Sequence, residues 1–191
     1  MMLKRRLFVA PLLALAVLAN ASAPRQYTLD ATASEVTAKV PFFGLSSKSM
    51  KFPKMSGDVR IVPGAPEQAV IDVTFDATAL EAPDETTLKR LRGEKFFWVE
   101  KYPTVRFVGK SLKLESATEG TLAGELTARG VTKPQVLDVT FETDPVTSPA
   151  GAPVKFTATT TIDRREYGMK SYRLIVGNKV DIVMSARMMP A

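Results

Sequence analysis

The chain has 191 residues, of which 26 are Lys or Arg and 20 are Asp or Glu, and it contains neither cysteine nor histidine. Without cysteine there is no disulfide, thiol nucleophile, zinc–thiolate site or covalent haem link. Without histidine the commonest general base, the commonest transition-metal ligand and any Ser-His-Asp triad go as well.

The first element in chain order is a targeting segment. Lys4, Arg5 and Arg6 precede an apolar run from Leu7 to Leu18, and Ala21-Ser22-Ala23 supplies small residues for a peptidase. This pattern predicts a signal peptide over residues 1–23 and cleavage after Ala23, placing the mature protein in the cell envelope or outside the cell. The apolar run is too short for a spanning helix of about 20 residues and contains Pro11. No other stretch is long and apolar enough to span as a helix, so the mature chain is expected to be soluble. Removing residues 1–23 from the 191 leaves 168, the size of one domain. The segment's three basic residues take the formal charge from +6 to +3. That charge is too small and too dispersed for a nucleic-acid partner.

The rest of the chain keeps returning to period two. Val36, Ala38 and Val40 alternate with Glu35, Thr37 and Lys39; Ile71, Val73 and Phe75 alternate with Asp72, Thr74 and Asp76. The pattern recurs at Leu112 and Leu114, at Leu137, Val139 and Phe141, and at Phe156, Ala158, Thr160 and Ile162. It ends with Val180, Ile182, Met184 and Ala186. Such alternation predicts strands with one wet and one dry face. Turn signals fall at Pro63-Gly64-Ala65-Pro66, Glu119-Gly120, Lys133-Pro134, Ser148-Pro149-Ala150-Gly151 and Gly177-Asn178. Eight to ten short antiparallel strands in a sandwich or barrel follow from this spacing.

Two stretches break the rhythm. Pro41-Phe42-Phe43-Gly44-Leu45, followed by Met50, Phe52 and Met55, is too apolar for a solvated loop. It reads as a loop tucked over the core or as the lip of a lipid pocket, with adaptable Met side chains. A copper-binding methionine cluster is a third reading that no His or Cys supports. From Asp84 to Gly93 the period is helical: Asp84 caps, Glu85 suits the positive end, Leu88 and Leu91 share a face, and Gly93 ends it. The aromatics Phe96, Phe97 and Trp98 follow, and the segment is expected to cross one barrel mouth as a core plug or a ligand-gating cap.

Several strings carry a family resemblance. Gly124-Glu125-Leu126-Thr127-Ala128-Arg129-Gly130-Val131-Thr132-Lys133-Pro134 resembles the G-x-L-T-x-R-G-V-T-K-P signature of the YceI-like family. Phe96 to Phe107, with Tyr102-Pro103 inside it, is similar to the family's F-F-x-x-x-x-Y-P-x-x-x-F stretch. Ile162 to Gly168 resembles its I-x-R-x-x-[FY]-G motif, followed by Val176-Gly177-Asn178-Lys179-Val180. The opening Tyr27-Thr28-Leu29-Asp30 with Ser34 follows the family too, except that Ala33 stands where it often has histidine.

The resemblance implies an all-β, lipocalin-like antiparallel barrel of about eight strands with one short helix near residues 84–93, usually periplasmic. Its interior is expected to hold a polyisoprenoid or another lipid tail, with no other cofactor and no metal. Residues expected to touch that ligand are Phe42, Phe43, Met50 and Phe52 from the lip, and Leu88, Leu91, Phe97 and Trp98 from the cap. Phe75, Phe107, Phe141, Phe156, Tyr167 and Met184 complete the set from the strands and the Ile162 to Gly168 motif. Arg129 and Arg164 read either as clamps for an anionic head group or as ties between turns. No catalytic residue is expected, although an enzyme using Asp84 or Glu85 as base stays open beside an envelope adaptor without ligand. A protein partner in the envelope and a homodimer stay open as well.

Overall fold

The computed structural model describes residues 23–191; residues 1–22, and with them the expected signal segment, lie outside the described residues. Ten strands follow one another: β1 (Arg25–Leu29), β2 (Glu35–Phe42), β3 (Ser46–Lys51), β4 (Met55–Ile61), β5 (Val70–Asp76), β6 (Thr104–Leu114), β7 (Glu119–Ala128), β8 (Val131–Phe141), β9 (Val154–Asp163) and β10 (Lys179–Pro190). One helix, α1 (Glu85–Arg92), sits in the connection from β5 to β6.

All neighbours are antiparallel, and eight strands close a ring in the order β1-β4-β5-β6-β7-β8-β9-β10. The ring shuts where Tyr27 to Leu29 of β1 meet Met188 to Pro190 of β10. The long strand β10 also pairs with β2, Met184 lying opposite Val36. β1 and β2 are therefore two lengths of one line beside β10, interrupted at a turn that Asp30 caps by accepting from the amides of Thr32 and Ala33. Closure leaves few unpaired strand edges to recruit other chains.

The dry faces expected from the alternation point inward. Val36, Ala38, Val40, Val73, Phe75, Val139, Phe141, Ala158, Val180 and Met184 are all buried, and their polar neighbours face solvent or lie partly exposed. Gly124 marks a tight approach between β6 and β7, since a Cβ there would meet the Val108 carbonyl and the Phe107 ring.

Two expected turns are corrected. Glu119-Gly120 begins β7, and Lys133-Pro134 lies inside β8. The true reversal is Arg129-Gly130, with φ of 51° and 72° and Ala128 opposite Val131. Two positive φ values in a two-residue loop fit the twist of the flanking strands. Pro134 survives in a strand because the antiparallel ladder alternates. Counted from the closing pair, its nitrogen faces β9, and β8 pairs with β9 only over Asp138–Phe141. The missing N–H therefore costs no ladder bond.

A tunnel with a tied mouth

The inward faces enclose a cavity of about 530 Å³. It is lined by Val36 and Ala38 of β2, Val73 and Phe75 of β5, Phe107 of β6, Leu126 of β7, Val139 and Phe141 of β8, Phe156 and Ala158 of β9 and Met184 of β10. Val180 and Met188 both line it, and the eight residue steps from one to the other along β10 correspond to a depth of roughly 20 Å for a tilted strand. Tyr27, Pro145 and Val154 pack fully buried at the far end. There the Arg25 guanidinium also donates to the Ser148 carbonyl at 2.6 Å.

The near end is built from five connections, β2–β3, β3–β4, β5–β6, β7–β8 and β9–β10. The β2–β3 hairpin and the β9–β10 connection are stitched by backbone bonds, Phe43 N–H to the Ile175 carbonyl and Gly177 N–H to the Pro41 carbonyl, both at 2.8 Å. The β5–β6 connection joins them through α1. Asp84 caps that helix by accepting from the Thr87 amide at 2.8 Å, and it takes Lys48 Nζ at 2.8 Å from β3. Under the helix, Phe52 packs its ring against Phe75 and Phe97, with centroids 6.0 and 5.7 Å away.

The two motif arginines tie these connections together. Arg164 is only 2% exposed and lines the tunnel near its mouth. Its fork donates to the carbonyls of Gly177 at 2.8 Å, Val176 at 2.9 Å and Met169. Arg129 donates to the carbonyls of Gly168 and, at 2.7 Å, Glu94. Both guanidinium groups therefore stitch turns. Burial pulls the Arg164 guanidinium below its ordinary range. Phe96 stacks on Tyr172 with centroids 5.9 Å apart, beneath the Arg164 guanidinium.

Of the residues expected to meet a ligand, Phe42, Phe43, Met50, Phe52, Phe75, Leu91 and Phe97 line the tunnel, as do Phe107, Phe141, Phe156 and Met184. Three stand elsewhere. Leu88 is partly exposed on α1, because Leu91 takes the inward position of the helix. Trp98 has φ of 50°, which swings its ring out against Tyr102, with Lys101 over it. Tyr167 is a buried anchor, 1% exposed, outside the lining.

Sequence reasoning missed Gln135, which lines the wall where β8 and β9 part beside Thr160, a residue the alternation already places on the inward face. The Gln135 amide donates to Thr160 Oγ1 at 2.5 Å, and Thr160 in turn donates to the Val136 carbonyl. A polar residue in phase with Leu137 and Val139 was the available signal. Ala33, in the family's histidine position, is exposed and lies outside the lining. Among the described residues no cluster of three His, Cys, Asp or Glu could hold a metal ion, and no helix is long and apolar enough to cross a membrane.

The electrostatics of the mouth make two measurable statements. The Lys48 ammonium and the Thr87 amide and hydroxyl hold the Asp84 carboxyl down from 3.8 to about 2. A depressed carboxyl contributes to stability above its ordinary value and loses that contribution as pH falls through the folded value. The helix–β3 link should therefore survive pH 4 and open near pH 2. An NMR titration of Asp84 is expected to show that low midpoint, and a midpoint near 3.8 would refute the link. Burial pushes the Tyr167 hydroxyl up to about 12, and that hydroxyl has no hydrogen-bond partner among the described residues. Tyr167→Phe is thus expected to change stability by no more than about 1 kcal/mol and to leave ligand uptake intact. Loss of uptake with the fold preserved would return the hydroxyl to the pocket.

Comparison with known proteins gives the same architecture. A family model described as the YceI-like domain matches residues 27–188. A UPF0312 protein of Pseudomonas putida is 29% identical over 132 residues, 69% of each chain. A UPF0312 protein of a Shewanella species is 26% identical over 152 residues, 78% of this chain and 80% of that one. Among solved structures, Burkholderia cenocepacia BcnA superposes with a TM-score of 0.74 at 21% identity, over 83% of this chain and 98% of that one. A polyisoprenoid binding domain from Saccharophagus degradans superposes with a TM-score of 0.66 at 13% identity, over 86% and 98%. The chain belongs to the YceI-like domain family.

Proposed function

We propose that this protein binds a long apolar chain, a polyisoprenoid or another lipid tail, inside its barrel and holds or carries it in the periplasm after export, without chemical turnover. The observation that carries this reading is the distribution of polarity along the tunnel. Its charged lining residues, Lys48, Asp84, Arg90 and Arg164, all belong to the mouth, and the deeper wall is apolar apart from Gln135 and Thr160. Such a lumen matches a tail below and a polar head above. Each 100 Å² of tail removed from water contributes about 2.5 kcal/mol, so tight binding needs no covalent step. The name of the Saccharophagus domain supports the ligand class.

Neither carboxyl offered for the enzyme reading supports it: Glu85 lies outside the tunnel lining, and Asp84 is already engaged. A carboxyl held at about 2 as a helix cap and ion-pair partner is a weak proton acceptor at neutral pH. The carrier reading is tested by titrating a ladder of isoprenoid alcohols of increasing length. Affinity should rise with each isoprene unit and then level off when the tunnel is full. Absence of saturable binding along the whole ladder would overturn it.

A further inference from the structure

The rim of the tunnel is apolar and basic at once. Phe43 is 61% exposed, and Leu45 and Leu174 are each 97% exposed. Phe43 and Leu45 stand at the β2–β3 hairpin, and Leu174 stands in the β9–β10 connection. The backbone bonds between Phe43 and Ile175 and between Gly177 and Pro41 hold these two segments together. The three side chains therefore form one edge beside the opening, which Phe43 and Ile175 also line. Hydrophobic side chains held out in water in such a group mark a contact surface.

Charge is sorted along the same axis. The connections at the mouth, 43–45, 52–54, 77–103, 129–130 and 164–178, carry eleven basic and six acidic residues. Those at the far end, 62–69, 115–118 and 142–153, carry four acidic residues and no basic one. Nearest the apolar edge, Arg173 precedes Leu174, and Arg90 and Lys95 lie over the Tyr172 ring at 5.7 and 5.5 Å. Arg90, Lys95, Lys170 and Arg173 form none of the ion pairs found among the described residues. A long-range field of this kind would turn the mouth, and not the floor, toward a negative surface.

We infer that the mouth docks on an anionic phospholipid bilayer, with Leu45, Leu174 and Phe43 entering the headgroup boundary and the four free cations facing lipid phosphates. An apolar tip ringed by Lys and Arg is the arrangement that binds such interfaces. A second copy of the chain fits less well, because face-to-face contact would bring two positive rims together. Docking would let a tail pass between bilayer and tunnel without crossing water. The inference rests on the carrier reading for its purpose, but it is measured independently.

The test is flotation of the mature chain with vesicles of phosphatidylcholine alone or of phosphatidylcholine mixed with phosphatidylglycerol. The protein should float with the anionic vesicles only and detach at about 1 M salt, where the screening length falls to about 3 Å. Leu45→Ser with Leu174→Ser, and separately Arg173→Glu, should lower partitioning about tenfold or more while isoprenoid titration stays at the wild-type level. Equal binding to neutral and anionic vesicles, or wild-type partitioning of both variants, would overturn the proposal. So would sedimentation showing a wild-type dimer that the leucine variants dissolve, which would give the rim to a second copy. A wild-type chain that binds isoprenoid yet floats with neither kind of vesicle removes this inference alone. Docking retained without isoprenoid binding removes the carrier reading alone.

Discussion

Ala158→Trp is expected to abolish binding of a long tail while sparing a short one. Ala158 is buried midway along β9, opposite Val139 and Met184, and it lines the tunnel. An indole there enters an existing void, so the fold should lose no more than about 1–3 kcal/mol. It introduces no buried charge, unlike Arg at Phe75 or Phe156, where binding and folding would fail together. Losing contact over only 100 Å² of tail costs about 2.5 kcal/mol, approaching a hundredfold in affinity. A tail short enough to stop above the block keeps its contacts. Titration of long and short isoprenoids on a variant with an intact melting transition reads both effects. Wild-type affinity for the longest tail would remove Ala158, and the lumen around it, from the binding path.

The second large effect is on the mouth. Arg164→Lys should destabilise the protein by about 3 kcal/mol or more, because one ammonium cannot replace a planar fork that serves three carbonyls in two directions. Hydrogen bonds from a charged donor contribute about 1.5–3 kcal/mol each, and buried carbonyls left unpaired add a penalty. For a domain of this size, 3 kcal/mol corresponds to roughly 6–12 °C in the melting temperature. The rim segment around Leu174 should loosen with it, and ligand exchange should quicken. Thermal and urea unfolding of the Lys variant check the first point. A variant that melts with the wild type would mean that the arginine does not hold the mouth.

The strand faces were legible because period two is a local property, visible at Val36-Ala38-Val40 and again at Phe156-Ala158-Thr160. The cap at Asp84 and the stop at Gly93 were legible for the same reason, since helix ends select residue types. What was hidden depends on neighbours distant in sequence. Lys133-Pro134 read as a turn, and only the unpaired stretch of β8 explains how proline sits in a strand. Trp98 was grouped with Phe96 and Phe97, yet a positive φ at a tryptophan has no residue-type signature. Ile175 and Val176 line the mouth from a connection without periodicity, so no pattern could have placed them. The sorting of charge between the two ends could not be read until the topology had assigned each connection to an end.

A lipid tail inside the barrel is the central expectation, and native mass spectrometry of the protein purified from its own cells, followed by organic extraction, addresses it directly. It should show a long-chain lipid retained at one defined stoichiometry, and the extract should identify tail and head together. An empty protein that also refuses isoprenoids and fatty acids on titration would contradict the account and leave the tunnel as an unfilled core.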